Sequence, residues 1–147
     1  MAKNLVPHLV FENSKTAIAY YETVFGATDS GRMVVTPELA AQFGKNPDDA
    51  HLSELTVHGS FHIFGQPIYF ADDFGGNAVQ SGLTFLLAAT EDDDAAISEL
   101  EAIFEKAENS GRVTVQQAFT DAFWGGKFGV LVDEYGITWQ FAVNPQI

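Results

Sequence analysis

The stretch Leu83–Ala107, LTFLLAATEDDDAAISELEAIFEKA, changes its hydrophobic period halfway along. Leu83 to Ala89 is nearly continuous apolar sequence, which predicts a strand buried on both faces. From Asp92 onward the apolar residues fall at spacings of three and four. Ile97, Leu100, Phe104 and Ala107 share one face of a predicted helix. Thr90 is placed to cap that helix, and Asp92, Asp93 and Asp94 lie in its first turn, where the helix dipole favours anions. Asn109-Ser110-Gly111 ends it. Three further strands follow, at Arg112–Phe119, Phe128–Asp133 and Ile137–Val143, the last two joined by a turn at Glu134-Tyr135-Gly136. The second half therefore reads β-α-β-β-β.

The first half gives the same order with different residues. Leu5–Phe11 predicts a strand, and Pro7, which lacks an amide donor, puts it at a sheet edge or makes its start irregular. Asn13 or Ser14 caps a helix over Lys15–Phe25, whose apolar face is Ala17, Ile18, Tyr21, Val24 and Phe25. Gly26 stops it. A strand follows near Arg32–Thr36, a short helix over Pro37–Phe43 and a turn at Asn46-Pro47-Asp48-Asp49. Leu52–His58 and Phe61–Phe64 read as two strands of a hairpin turning at Gly59-Ser60. Asp72–Asn77 reads as a linker. The expectation is one α+β domain over residues 1–147, built from tandem βαβββ modules at about 1–78 and 79–147, with sheets curving around a cup.

Composition narrows what such a domain can do. Hydrophobic residues make up 46% of the 147 residues, and thirteen Phe, four Tyr and two Trp supply aromatic surface for a core and a pocket. There is no Cys, which excludes disulfides, zinc–thiolate sites, iron–sulfur clusters and thiol nucleophiles. The net charge of −13 repels phosphate backbones and anionic lipid, so neither nucleic acid nor membrane is an expected partner. No apolar run reaches the ~20 residues of a membrane helix, and the N-terminal residues lack the apolar run of a signal peptide. The expected location is the cytoplasm.

The tandem pattern carries a resemblance. Pro7-His8-Leu9-Val10-Phe11-Glu12-Asn13, Ala17-Ile18-Ala19-Tyr20-Tyr21 and Val24-Phe25-Gly26-Ala27 at one end are similar to the opening of the PhnB-like branch of the glyoxalase, bleomycin-resistance and extradiol-dioxygenase superfamily, also called vicinal oxygen chelate. Ser81-Gly82-Leu83-Thr84 resembles the start of that branch's second module. Phe123-Trp124-Gly125-Gly126-Lys127-Phe128-Gly129-Val130, Asp133-Glu134-Tyr135-Gly136 and Thr138-Trp139 resemble its closing signature. Some members bear the name of a demethylubiquinone methyltransferase, but this chain has no Gly-rich strand-to-helix turn of the kind a Rossmann-type methyltransferase needs.

The resemblance implies a glyoxalase-like cup that binds a small organic molecule, with the specific activity unassigned, and a homodimer. The alternative it implies is a divalent-metal-dependent lyase, isomerase or dioxygenase acting on a small oxygen-rich substrate. Metal-dependent members aim four side chains into the cup. Carried over, those positions fall at His8 or Val6, at Glu54, at Leu83 and at Gln140. Leu83 cannot bind a metal, and Gln140 is a poor ligand. A set of His8, Glu54 and Gln140 is weak, and the reading favours no resident cofactor, with His8 and Gln140 as polar lining. If the chain is an enzyme, Glu54 is the base or ligand, and His8 and Gln140 orient substrate oxygens. If it only binds, Glu54 pairs with a cationic group.

The remaining candidates have plainer readings beside the functional ones. In a regular strand Leu52, Glu54, Thr56 and His58 face one way and His51 the other, which separates His51 from Glu54. His58 at the turn reads as solvated, and His62 is open. Trp139, alternating with Ile137 and Phe141, reads as core. Trp124 reads as a ligand-binding residue at the pocket rim. Phe70 and Phe74 read as lid residues or surface anchors. Glu91-Asp92-Asp93-Asp94 reads as a solvated helix start.

Overall fold

The computed structural model describes residues 3–74 and 82–144. The elements run β1 (His8–Phe11), α1 (Ser14–Val24), β2 (Thr28–Val34), short 3₁₀ turns at Ala40–Phe43 and Leu52–Glu54, β3 (Thr56–Ile63), β4 (Gln66–Asp72), β5 (Thr84–Ala89), α2 (Asp94–Ser110), β6 (Thr114–Asp121), β7 (Lys127–Val132) and β8 (Thr138–Val143). Two four-stranded mixed sheets result, in the orders β1-β4-β3-β2 and β5-β8-β7-β6. The fold is α+β, made of two βαβββ modules. Each sheet is an open layer, not curled into a barrel. The chain divides into two compact units, one of Met1–Thr23 and Ala27–Val79, the other of Val24–Gly26 and Gln80–Ile147. Among the described residues no helix is long and apolar enough to cross a membrane.

In the first unit Asn13 begins α1: its side-chain oxygen accepts the Thr16 amide at 3.1 Å. The next residue, Ser14, turns inward, and its amide (3.0 Å) and hydroxyl both donate to the buried Asp72 carboxylate at the end of β4. This fastens the helix start to the sheet through groups that would otherwise be costly to bury. Tyr21 from α1 stacks on Phe61 of β3 at 5.1 Å, and Phe61 meets Phe70 of β4 at 5.8 Å. Phe61 and Phe70 are fully buried.

In the second unit Asp93, not Thr90, is the N-cap of α2 and accepts the Ala96 amide at 3.1 Å. Leu100, Phe104 and Ala107 are buried, and Phe104 meets Phe141 of β8 edge-on at 5.1 Å. Trp139 lies in the core, between Phe25 and Phe85, each at 5.1 Å. Its indole N–H donates to the buried Asp133 at 2.9 Å, and the same carboxylate accepts the Tyr135 and Ile137 amides of the β7–β8 turn.

Several expectations are overturned. No turn exists at Gly59-Ser60: β3 runs straight through, and the hairpin turns at Phe64-Gly65, where both residues have positive φ. Leu52–Glu54 is a 3₁₀ turn, so the strand expected from Leu52 starts only at Thr56. The expected linker begins later than Asp72, which is in β4, and from Gly75 onward it lies outside the described residues. Phe70 is a core residue of β4, not a lid, and Phe74 packs on Phe43 at 4.8 Å. β5 is buried on one face only, because it is an edge strand with a helix on one side: Leu87 and Ala89 are buried, while Leu86 is 46% exposed. Ser81, in the expected start of the second module, also lies outside the described residues.

Candidate functional site

The register gives each sheet one face turned to its helix and one open face. In the first sheet Leu9, Phe11, Phe61, Ile63, Ile68 and Phe70 face the core. The alternating residues face the other way. His8 lies opposite Tyr69, Tyr69 opposite Ser60, and Met33 opposite His58. His58, Ser60 and His62 occupy every second position of β3 and share the open face with His8 and Tyr69. The His8 and His58 rings stack at 6.1 Å and 27°, and Tyr69 meets His58 edge-on at 5.0 Å. His62 Nδ1 is enclosed and has no hydrogen-bond partner.

The second sheet repeats this frame. Phe70 lies opposite Leu9 and Gly59; Phe141 lies opposite Leu87 and Gly129. With those anchors matched, His8 corresponds to Leu86, Tyr69 to Gln140, His58 to Phe128, Ser60 to Val130 and His62 to Val132. The second open face thus sets Leu86, Phe128, Val130 and Val132 among the polar side chains of Gln140, Gln117, Thr120 and Thr138. Trp124 borders it through a 5.8 Å contact with Phe128 and meets the fully exposed Phe123 at 4.9 Å. Trp124 is held by the turn before β7. Gly126 there has φ +85°, and a Cβ on it would lie 2.1 Å from the Val143 carbonyl oxygen, so no side chain fits.

The sequence-derived candidates are distributed as follows. His8 is on the open face of the first sheet, Gln140 at the centre of the second, and Trp124 beside the second. Glu54 is on neither. It sits in the 3₁₀ turn, exposed, with its carboxylate bound by Lys15 Nζ at 2.9 Å. The Lys15 hydrogen bond, followed by the Lys15 charge, holds the Glu54 carboxyl below its usual range, which weakens it as a base. The same turn brings His51 to Glu54, whose amide donates to the His51 carbonyl at 3.0 Å, although regular strand alternation separated them. Leu83 precedes β5 and accepts the Thr138 amide.

Among the described residues no three His, Asp or Glu side chains converge as ligands. Within the first unit Glu54 lies off the sheet that carries His8. Sequence reasoning missed the His58–Tyr69 contact. The signal was the alternation His58-Ser60-His62, hidden once Gly59 was read as a turn.

Comparisons with known proteins agree with this architecture. No family model matches the chain. Protein YjdN of Escherichia coli K12 is 28% identical over 151 residues, covering 97% of this chain and 96% of YjdN. The PhnB protein from Bacillus cereus superposes with a TM-score of 0.59 at 16% identity, over 96% of this chain and 99% of that one. Protein PA1353 from Pseudomonas aeruginosa superposes with a TM-score of 0.58 at 20% identity, over 97% and 98%. These structures share the fold of this chain.

Proposed function

We propose that the chain binds a small organic molecule against an open sheet face. The observation that supports this most is the second sheet, where Leu86, Phe128, Val130 and Trp124 supply apolar and aromatic surface beside the polar side chains of Gln140, Gln117 and Thr120. Small-molecule sites have this makeup: apolar walls with a few polar groups that fix orientation. Aromatic side chains held on a sheet and by a glycine-defined turn lose little conformational freedom when a planar ligand stacks on them. The excess of acidic residues raises the local concentration of cationic ligands.

Fluorescence tests this directly, because the two Trp are in contrasting settings. Trp139 is buried and hydrogen-bonded; Trp124 is 36% exposed. Titration with N-methylquinolinium, a planar aromatic cation, is expected to change the emission saturably, and Trp124→Phe is expected to remove most of that change. A flat response to planar aromatics, cationic and neutral, would overturn the reading. An unaltered response in Trp124→Phe would move the ligand off this face.

A further inference from the structure

The turn that leads into β7 carries an aromatic pair at the surface. Phe123 is 97% exposed, so its ring adds no buried area to the core. It meets Trp124 at 4.9 Å with the ring planes at 81°, and Trp124 in turn meets Phe128 at 5.8 Å and 65°. Two ring faces at nearly a right angle make an open corner, with Phe128 of β7 beside it. The corner is held before anything binds. The Ala122 amide donates to the Gly126 carbonyl at 2.9 Å and the Gly125 amide to the Ala122 carbonyl at 3.1 Å, which closes the turn around both aromatic residues. A ligand that enters it therefore orders little of the chain.

The faces of aromatic rings carry negative potential, so a corner of such faces attracts a cation. The same hairpin already contains this contact elsewhere: Lys127 Nζ lies 4.6 Å from the centre of the Phe119 ring while bound to Glu101 at 2.7 Å. Lys127 and Phe128 are consecutive in β7 and point to opposite faces. That ammonium is thus on the helix side and does not fill the Phe123–Trp124 corner. The net charge of −13 draws cations to the chain. Ring faces accept N–H groups only weakly. A primary ammonium brings three donors and would exchange water for partners that rings do not supply. A quaternary ammonium has no donor to strand, and its methyl groups gain from apolar contact.

We propose that the Phe123–Trp124 corner takes the quaternary ammonium head of a small organic cation. The proposal rests on the reading that the chain binds a small organic molecule against the second sheet, and it names the chemical group that this site takes. The test uses choline, its neutral isostere 3,3-dimethyl-1-butanol and the primary amine ethanolamine, at an ionic strength held constant with NaCl. The two indole N–H resonances are followed by NMR, with Trp139, buried and bonded to Asp133, as the internal control. Choline is expected to shift the Trp124 signal saturably and leave Trp139 unmoved. It is expected to bind about fivefold tighter than either other probe, the size of a cation–π contact. Phe123→Leu keeps an apolar side chain and removes a ring that the core does not use. It is expected to weaken choline about fivefold and leave 3,3-dimethyl-1-butanol unchanged. Sedimentation with phosphatidylcholine vesicles separates a free cation from a lipid headgroup. The chain is expected to stay out of the pellet, since each choline there is joined to a phosphate that the acidic excess repels.

Equal affinity for 3,3-dimethyl-1-butanol would reduce the corner to an apolar patch. Equal affinity for ethanolamine would show attraction by charge alone, and undiminished choline binding in Phe123→Leu would place the ammonium elsewhere. Each of these overturns the proposal, and pelleting with the vesicles overturns the assignment to a free molecule. Silence toward choline while Trp124 emission still responds to N-methylquinolinium would remove the quaternary ammonium head and leave the general function standing. Silence toward planar aromatics as well would remove both.

Discussion

At the scale of single residues, Glu54 shows how a partner sets the chemistry of a candidate. Its type and approximate position invited a role as base or metal ligand. Lys15, one residue into α1, instead claims the carboxylate. The hydrogen bond and charge of Lys15 lower the Glu54 pKa from 4.5, so the ionised form is favoured in the folded chain. The sign follows. A carboxyl with a depressed folded pKa adds stability above its unfolded value of about 4.5, and that contribution is lost as pH falls through the lower folded value. Both side chains are exposed, so the contribution is small. Replacement of Lys15 by Met is therefore expected to move the Glu54 titration upward toward 4.5 with little change in melting temperature. A carboxyl-carbon NMR titration of both proteins checks this, and an unmoved midpoint would mean that Lys15 does not hold the carboxylate in solution. None of this was readable from sequence, since Lys15 and Glu54 are 39 positions apart.

At the scale of elements, the helices were legible and the central hairpin was not, for one physical reason. A helix advertises itself through a period of 3.6 over many residues, and the buried faces of α1 and α2 follow that period. A strand is short, and one glycine can reverse its reading. Gly59-Ser60 between two apolar runs signals a hairpin turn, because glycine tolerates positive φ. Gly59 is needed for another property: a Cβ there would lie 2.3 Å from the Phe70 ring and 2.6 Å from the Gly31 carbonyl oxygen. Glycine inside a strand marks such a close approach. The true turn, Phe64-Gly65, places Phe at a positive-φ position where Asn is the usual signal. That one misreading shifted β3, turned His58 and His62 from strand residues into turn and ambiguous ones, and concealed Tyr69. Gly59→Ala is expected to destabilise the chain by about 1–3 kcal/mol, the cost of overpacking a filled core, because Phe70 is fully buried and has nowhere to retreat. Urea unfolding measures it. A loss below about 0.5 kcal/mol would mean that the ring moves aside readily.

At the scale of the whole molecule, duplication was the most legible feature, because element order survives when residue identity does not. What duplication could not convey is which side chains each open face carries. That depends on register, and register is a long-range property of the sheet. Composition acts at this scale too. Seven Lys and Arg face twenty Asp and Glu, and the ion pairs Lys15–Glu54, Arg112–Glu134 and Lys127–Glu101 already engage three of the seven cations at exposed sites. Exposed pairs contribute little to stability, whereas the uncompensated acidic charge repels itself throughout the compact state. Salt acts on the two in opposite senses: it weakens the pairs and also screens the repulsion. At 0.01 M ionic strength the screening length is about 30 Å and reaches across a domain of this size; at 0.15 M it is about 8 Å, and only near neighbours still interact. With −13 net charge the repulsion outweighs three exposed pairs. Raising NaCl from 10 to 150 mM at pH 7 is therefore expected to raise the melting temperature by at least about 2 °C, corresponding to roughly 0.5–1 kcal/mol for a chain of this length. Chloride, rather than sulfate, keeps the effect to screening and away from exclusion of salt from the surface. A fall in melting temperature over that range would show that local pairing, and not net charge, governs the electrostatics of this fold.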